Sequence, residues 1–201
     1  MARPIGTTGK AKIMDDSQLK TFLKRLSNDT SARHQSRNTA LIACSYLLGL
    51  RSIELCNLDI GDIFENGEIK HVLKLTSLKT KYGKHRDVYL SNKMLRKHLM
   101  CFFENDDLYL CTEADPLFRS QKNSRFSPNS MQQLVKRIHG YCGHTGYSSH
   151  SGRRSLITNL VHAGIDIHSV SKIAGHSNIS TTQIYVQDNP HMLSDILKHA
   201  F

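Results

Sequence analysis

Apolar side chains recur at three- and four-residue intervals over most of the chain, the spacing that buries one face of an α-helix. Asp15, Asp16 or Ser17 precedes the first of these segments, and each of the three is a residue type that caps helices. A second and longer segment opens at Ser31 and is stopped by Gly49. The first quarter of the chain is therefore predicted to form two helices.

Further helices are predicted along the rest of the chain. A short one begins around Ser52, a longer one is capped by Ser91, and another starts at Pro128, a residue favoured in the first turn of a helix. An apolar-periodic run opens at His150, and a shorter helix is predicted from Asp166 to Ala174. Helix is therefore predicted to dominate the fold.

Between Ile60 and Leu90 the pattern changes to one typical of strands. One arm carries Ile69, Val72, Leu73 and Leu75, the other carries Val88 and Leu90, and Tyr82-Gly83 forms the predicted turn. The predicted fold class is therefore α+β, mainly α-helical, with a small antiparallel hairpin or sheet. Basic residues cluster near the predicted tip of the hairpin, at Lys79, Lys81, Lys84 and Arg86.

Charge indicates the kind of partner. The 201 residues include 27 Lys and Arg against 17 Asp and Glu, a formal net charge of +10. Such an excess favours a polyanion, with nucleic acid the best fit, although a merely basic soluble protein is the alternative on charge alone. No apolar run approaches the roughly 20 residues that cross a bilayer, so a cytoplasmic protein without membrane contact is predicted.

Cysteine and histidine usage gives no metal signature. The five cysteines are odd in number and lack C-x-x-C spacing, so they and the 12 histidines form no zinc-finger pattern. We therefore predict reduced thiols, no structural metal and no cofactor.

Three segments are predicted. Residues 1–13 are small and basic and form a flexible arm. Residues 14–187 form one domain. Residues 188–201 form a short C-terminal helix, which is marginal unless it is docked, either on its own core or elsewhere.

Candidate chemistry concentrates in the last third of the chain. His150 and Arg153 lie three residues apart at the opening of a helix, so both are expected on one face of its first turn, where anions are favoured. His176 follows a helix that ends at Gly175, and its imidazole is expected to be free. Tyr185 lies nine positions further on.

An earlier arginine adds to this set. Arg51 lies in a predicted junction between two helices, with Glu54 one turn further on. An arginine in such a position is usually a surface residue or a carbonyl cap. The alternative is a guanidinium held in place by the Glu54 carboxylate.

These residues resemble the signature boxes of the tyrosine recombinases, the phage-type integrases. His150-x-x-Arg153, then Gly175-His176, then Tyr185 resemble the second box. Residues 48–55, LGLRSIEL, resemble the first box, G-L-R-x-x-E-L, and residues 81–90, KYGKHRDVYL, resemble the hairpin that carries the family's lysine. The three elements occur in the family's order.

The resemblance implies a catalytic domain that cuts and rejoins DNA through a 3′-phosphotyrosyl intermediate, without ATP or metal. It implies Tyr185 as the nucleophile and His150 as the group that takes its proton, with Lys81 protonating the leaving oxygen and Lys79 as the alternative lysine. The implied catalytic set is Arg51, Lys81, His150, Arg153, His176 and Tyr185. Glu54 is implied to support Arg51, and the DNA-binding residues are expected to be Lys79, Lys84, Arg86 and Arg154.

The resemblance also implies an assembly and an origin. The expected partner is double-stranded DNA, bound by a homotetramer on two sites, with a monomer when free and residues 188–201 docking on the next subunit. A bacterial, phage or mobile-element protein of the nucleoid is implied, either short like the fimbrial-switch invertases or a catalytic fragment of a longer chain. A type IB topoisomerase-like activity and a non-catalytic DNA-binding protein on the same fold are the alternatives.

Overall fold

The computed structural model describes residues 11–80 and 85–187. Residues 1–10, Lys81, the predicted Tyr82-Gly83 turn, Lys84 and the predicted C-terminal helix at 188–201 lie outside this range. Its α-helices are α1 (Asp16–Asn28), α2 (Gln35–Leu47), α3 (Ser52–Cys56), α4 (Ile60–Ile63), α5 (Lys93–Asn105), α6 (Pro128–Tyr141), α7 (Ser151–His162), α8 (Ile167–Ala174) and α9 (Ser180–Gln187). Its strands are β1 (Phe64–Glu65), β2 (Glu68–Ile69), β3 (Val72–Leu75) and β4 (Arg86–Tyr89).

Side-chain caps fix where several of these helices begin. The Asp15 carboxylate accepts a hydrogen bond from the Gln18 backbone N–H at 2.8 Å, and the Gln18 side chain accepts one from the Asp15 N–H at 3.1 Å. This capping box confirms Asp15 among the three predicted caps of α1. The cap of α5 is Asn92 instead of Ser91, because the Asn92 side chain accepts hydrogen bonds from the backbone N–H groups of Met94 and Leu95.

The predicted start of the second helix is wrong by four residues. The helix α2 begins at Gln35, because His34 adopts a left-handed conformation with φ 60° that no helix can contain. Ser31 lies in the preceding turn, where its hydroxyl donates to the Asp29 carboxylate at 2.6 Å. The predicted stop at Gly49 is confirmed, since Leu48 is the C-cap and Gly49 has φ 62°.

The strand region contains two antiparallel ladders where one hairpin is predicted. Strands β3 and β4 pair with Leu73 opposite Val88, as expected. Ile69 belongs instead to β2, which pairs with β1 across a two-residue turn at Asn66-Gly67. Both turn residues have positive φ, so the Asn-Gly pair forms the tight turn that this dipeptide favours, and the prediction overlooked that signal.

The helix α2 is the centre of the main core. Its residues Leu41, Ile42, Ala43 and Cys44 have no exposed surface, and α1, α5 and α7 pack around it. A smaller apolar cluster forms between α7 and α8, at Ile157, Val161, Val170 and Ala174. The predicted fold class, mainly α-helical with small antiparallel ladders, is confirmed.

A close approach between α2 and α7 depends on Gly152. A Cβ atom at this position would lie 2.6 Å from the Ser45 carbonyl oxygen and 2.4 Å from the Ser45 hydroxyl oxygen. The residue is buried and packs directly on the α2 backbone. The contact brings the first turn of α7 next to the C-terminal end of α2, where the candidate site lies.

Among the residues described, no helix is both long and apolar enough to span a membrane.

Candidate active site

A cleft of about 630 Å³ opens where the C-terminal end of α2, the start of α3, strand β4 and the turn after α8 meet. Residues from both signature boxes and from the hairpin line it, so the fold brings together segments that are far apart in sequence. Its charged and polar lining includes Arg51, Glu54, Arg86 and His176.

Glu54 organises one wall of this cleft. Its carboxylate is fully buried and accepts a hydrogen bond from Arg51 Nη1 at 2.9 Å and another from the Arg51 backbone N–H at 2.9 Å. Arg51 is the N-cap residue of the short helix α3, so Glu54 lies on the adjacent turn. The Arg51 guanidinium is therefore held by the Glu54 carboxylate, and is not the surface residue or carbonyl cap that was the other possibility.

Arg153 is buried within the fold, with 8% of the residue exposed. Its Nη1 donates to the Gly49 carbonyl oxygen at 3.0 Å, and its Nη2 donates to the Ala174 carbonyl oxygen. Burial, together with the nearby Arg51 and Arg86 charges, lowers the pKa of Arg153 to about 9. The side chain therefore joins the end of α2 to the end of α8 and is still charged at neutral pH.

His176 follows α8 directly and is not free, contrary to the expectation from the sequence. Its Nδ1 lies 2.8 Å from the Thr182 hydroxyl oxygen on α9. Burial lowers the pKa of His176 to about 4, and the charges of Arg153, Arg51 and Arg86 contribute. The imidazole is therefore neutral at physiological pH, because both burial and the positive charges of three nearby guanidinium groups disfavour its protonated form.

The remaining residues of the second box lie around this group. Tyr185, on α9, packs against the small apolar cluster between α7 and α8 and interacts electrostatically with Arg153. His150 is the N-cap residue of α7 and is exposed, while Arg153 in the same turn is buried. The two residues therefore differ in exposure, and the Arg153 side chain points inward to the Gly49 and Ala174 carbonyl oxygens.

Arg86 occupies a different place from the exposed hairpin tip that the sequence predicts. Only 9% of its side chain is exposed. Its Nη2 lies 2.8 Å from Glu54 Oε2, and its Nη1 donates to the Ile173 carbonyl oxygen at 2.7 Å. The sequence signal that could have indicated this is the spacing of β4, which turns Val88 into the core and places Arg86, two residues earlier, on the same face.

Two basic residues, Lys79 of the hairpin region and Arg125, contact the carboxylate of Asp59. Lys79 donates to Asp59 at 2.7 Å and also contacts Asp62, so it is held at the start of α4. Arg125 contacts the same Asp59 at 2.5 Å. Lys81 and Lys84 lie outside the described residues. Arg154 is partly buried on α7 beside Arg153.

Within residues 11–80 and 85–187, no group of three or more histidine, cysteine, aspartate or glutamate side chains is arranged to hold a metal ion. The cleft is lined by the nitrogen donors of Arg51, Arg86, Lys172 and two histidines, which are suited to an anion, and also by the carboxylates of Glu54 and Asp87.

Comparison with known proteins identifies the class of molecule that this fold and cleft define. The chain matches the phage integrase family over residues 12–192 and therefore belongs to it. The resemblance of its motifs to the tyrosine recombinases is confirmed.

Individual relatives are recombinases. The chain is 28% identical over 201 residues to tyrosine recombinase XerC of Corynebacterium efficiens, covering all of this chain and 61% of the relative. It is 31% identical over 175 residues to XerC of Caldanaerobacter subterraneus, covering 86% and 47%. The chain thus spans about half to three fifths of the length of these relatives.

Solved structures share the fold. A XerA recombinase structure superposes with a TM-score of 0.74 at 24% identity, covering 96% of this chain and 67% of that one. A XerH site-specific recombinase bound to its difH substrate, in a pre-cleavage complex, superposes with a TM-score of 0.70 at 26% identity, covering 92% and 53%.

Proposed function

We propose that this chain is the catalytic domain of a site-specific DNA recombinase of the integrase or invertase type. In this proposal Tyr185 attacks a DNA phosphate, forms a 3′-phosphotyrosyl bond and releases a 5′-hydroxyl. Attack by the 5′-hydroxyl of a partner strand then reverses the step. The ester preserves the energy of the broken phosphodiester, so neither ATP nor a metal is needed.

The observation that carries the proposal is the charge of the cleft. The guanidinium groups of Arg51 and Arg86 both contact the buried Glu54 carboxylate, and Arg153 interacts electrostatically with all three residues. Burial makes this excess of positive charge costly, as the lowered pKa of Arg153 indicates. A phosphate anion bound in the cleft would stabilise these buried positive charges. The free protein thus keeps an electrostatically unfavourable arrangement that becomes favourable when the anion binds.

Fixed donors stabilise the charge that develops on the non-bridging oxygens during attack. Arg51 and Arg153 provide planar forks suited to phosphate. His176, neutral at pH 7, provides one further donor if the Thr182 hydroxyl donates to Nδ1, because the proton then resides on Nε2. Removing one such donor typically lowers the rate by about 10² to 10³.

Proton transfers complete the proposed step. His150, exposed beside the first turn of α7, takes or relays the Tyr185 proton. Lys81 protonates the leaving 5′-oxygen. The engagement of Lys79 with Asp59 and Asp62 supports the choice of Lys81 over its neighbour.

The proposed partner is double-stranded DNA, bound as a homotetramer on two sites by a chain that is monomeric when free. The net charge of +10 and the DNA-bound XerH relative support this choice. Lys84 and Arg154 are proposed to contact the DNA backbone, and residues 188–201 to dock on the next subunit. We also propose that the protein acts at the nucleoid, because its proposed substrate is DNA.

A suicide substrate, nicked next to the cleavage point so that the released end diffuses away, tests the proposal. Candidate target sequences are to be sought among any repeats that flank the gene. Wild-type protein should form a covalent complex that resists denaturation, and Tyr185→Phe should form none. A covalent complex formed by Tyr185→Phe would refute this nucleophile. Efficient relaxation of a supercoiled plasmid that lacks the site would instead support a topoisomerase.

A further inference from the structure

We infer that Arg86 is a positioning residue that acts through Glu54, holding Arg51 and the end of α8 in the geometry that phosphate attack requires. The inference rests on the proposed function, and it assigns Arg86 a role other than direct DNA contact.

The Glu54 carboxylate joins two arginines from different parts of the chain. Its Oε1 accepts from Arg51 Nη1, and its Oε2 accepts from Arg86 Nη2 at 2.8 Å. Glu54 is fully buried and Arg86 is nearly so, and salt therefore screens this ion pair much less than it would an exposed pair. Arg86 therefore fixes the orientation of the carboxylate that in turn fixes Arg51.

The other arm of the Arg86 fork reaches the second signature box. Its Nη1 donates to the Ile173 carbonyl oxygen, in the last turn of α8. The adjacent Gly175 has φ 64°, and a Cβ atom there would lie 2.7 Å from Arg86 Cδ. The Arg86 side chain thus lies directly on the backbone that leads into His176.

Each terminal nitrogen of Arg86 donates to a protein group, and its Nε is buried without a partner among the described residues. These two hydrogen bonds connect Glu54 to the end of α8 before any DNA is bound, which is the arrangement that a positioning residue requires. A lysine cannot replace the residue fully, because a single ammonium group lacks the planar fork that spans both acceptors. Loss of the fork leaves the Ile173 carbonyl unpaired and releases one side of Glu54.

The expected consequence is a slower chemical step with unchanged binding. Small displacements of catalytic groups, on the order of 1 Å, can lower rates about 10²-fold. We expect Arg86→Met, which keeps the buried aliphatic stem, to lower the single-turnover cleavage rate at saturating DNA by about 10- to 100-fold. Arg86→Lys should recover only part of this loss.

The experiment separates positioning from DNA contact. Binding affinity is measured against salt concentration, and cleavage is measured with the nicked substrate at saturating protein, for wild type, Arg86→Met, Glu54→Gln and the double variant. Lys74→Ala is the matched control, since Lys74 is an exposed cation on the same hairpin outside the cleft. The control should cleave at the wild-type rate, and thermal unfolding should show that each variant is folded.

Positioning through Glu54 predicts an unchanged salt slope for Arg86→Met and a double variant no slower than the slower single variant. A salt slope reduced by about one, with full cleavage at saturation, would show that Arg86 is a phosphate contact and would overturn the inference. Additive losses in the double variant would also overturn it, because they would show that Arg86 acts independently of Glu54. A wild-type protein that forms no covalent complex would refute the proposed function itself, a result distinct from these.

Discussion

The contact of Gly152 with α2 makes Gly152→Ala an informative perturbation. The new Cβ would lie 2.6 Å from the Ser45 carbonyl oxygen, 2.7 Å from its carbonyl carbon and 2.4 Å from its hydroxyl oxygen. The hydroxyl can rotate away, but the carbonyl group belongs to the backbone of the central helix. Relief of the overlap therefore requires α7 to move away from α2.

The size of the effect follows from two opposing contributions. Overpacking of this kind costs about 1–3 kcal/mol. Alanine in place of glycine in a helix favours folding by about 0.5–1 kcal/mol. The net expectation is a loss of up to about 2.5 kcal/mol in the free energy of unfolding, or a melting temperature lower by up to about 10 °C for a chain of this size.

Activity should fall together with stability. Arg153 lies in the same turn as Gly152 and donates to the Gly49 carbonyl oxygen just past the end of α2. A shift of α7 lengthens this hydrogen bond and moves Arg153 relative to Arg51, so we expect cleavage of the nicked substrate to fall about 10-fold or more.

Denaturant unfolding and single-turnover cleavage measure the two effects, with Gly140→Ala as the control. Gly140 lies in the last turn of α6, and no atom lies within 4 Å of a Cβ added there. The control should be neutral or slightly stabilising and fully active. If Gly152→Ala is as stable as Gly140→Ala, the overlap with Ser45 does not constrain the helices and the reasoning is refuted.

Three further predictions concern single groups. Thr182→Val should lower the cleavage rate about 10-fold or more, because the Thr182 hydroxyl contacts His176 Nδ1 and favours the tautomer with its proton on Nε2. Thr182→Ser keeps the hydroxyl and should cleave at the wild-type rate. Equal rates for the two variants would exclude this role. Lys79→Ala should lower the free energy of unfolding by about 1–3 kcal/mol, because Asp59 and Asp62 lose their lysine partner. Lys81→Ala should lower the cleavage rate, and a substrate with a sulfur leaving group should restore it, because such a leaving group needs no proton from a general acid. Restoration for Lys79→Ala alone would reverse the assignment of the two lysines. Burial lowers the pKa of His139 to about 4, so below pH 6.5 this histidine is protonated in the unfolded chain but still neutral in the folded chain. The free energy of unfolding should therefore decrease as the pH falls, by about 3 kcal/mol at pH 4 from this group. Urea unfolding measured at each pH should show a correspondingly smaller loss for His139→Gln than for wild type.

Local signals predicted the elements well where the physical cause is local. The Asp15 cap, the stop at Gly49 and the short helix after Arg51 each depend on a few neighbouring residues. The start of α2 was misplaced because the left-handed conformation of His34 has no sequence signature as strong as that of a glycine. The Asn66-Gly67 turn carried a local signal that the prediction missed.

The sequence by itself determined the family, because residue types at fixed spacings around Arg51, His150 and His176 carry that information without any coordinates. Only the tertiary structure decided how these groups are held. Arg86 reaches Glu54 across 32 positions of the chain, and Arg153 reaches Gly49 across 104, so their hydrogen bonds depend on how helices and strands pack. No local pattern encodes such contacts, since hydrogen-bond partners distant in sequence are chosen by the shape of the core that brings them together.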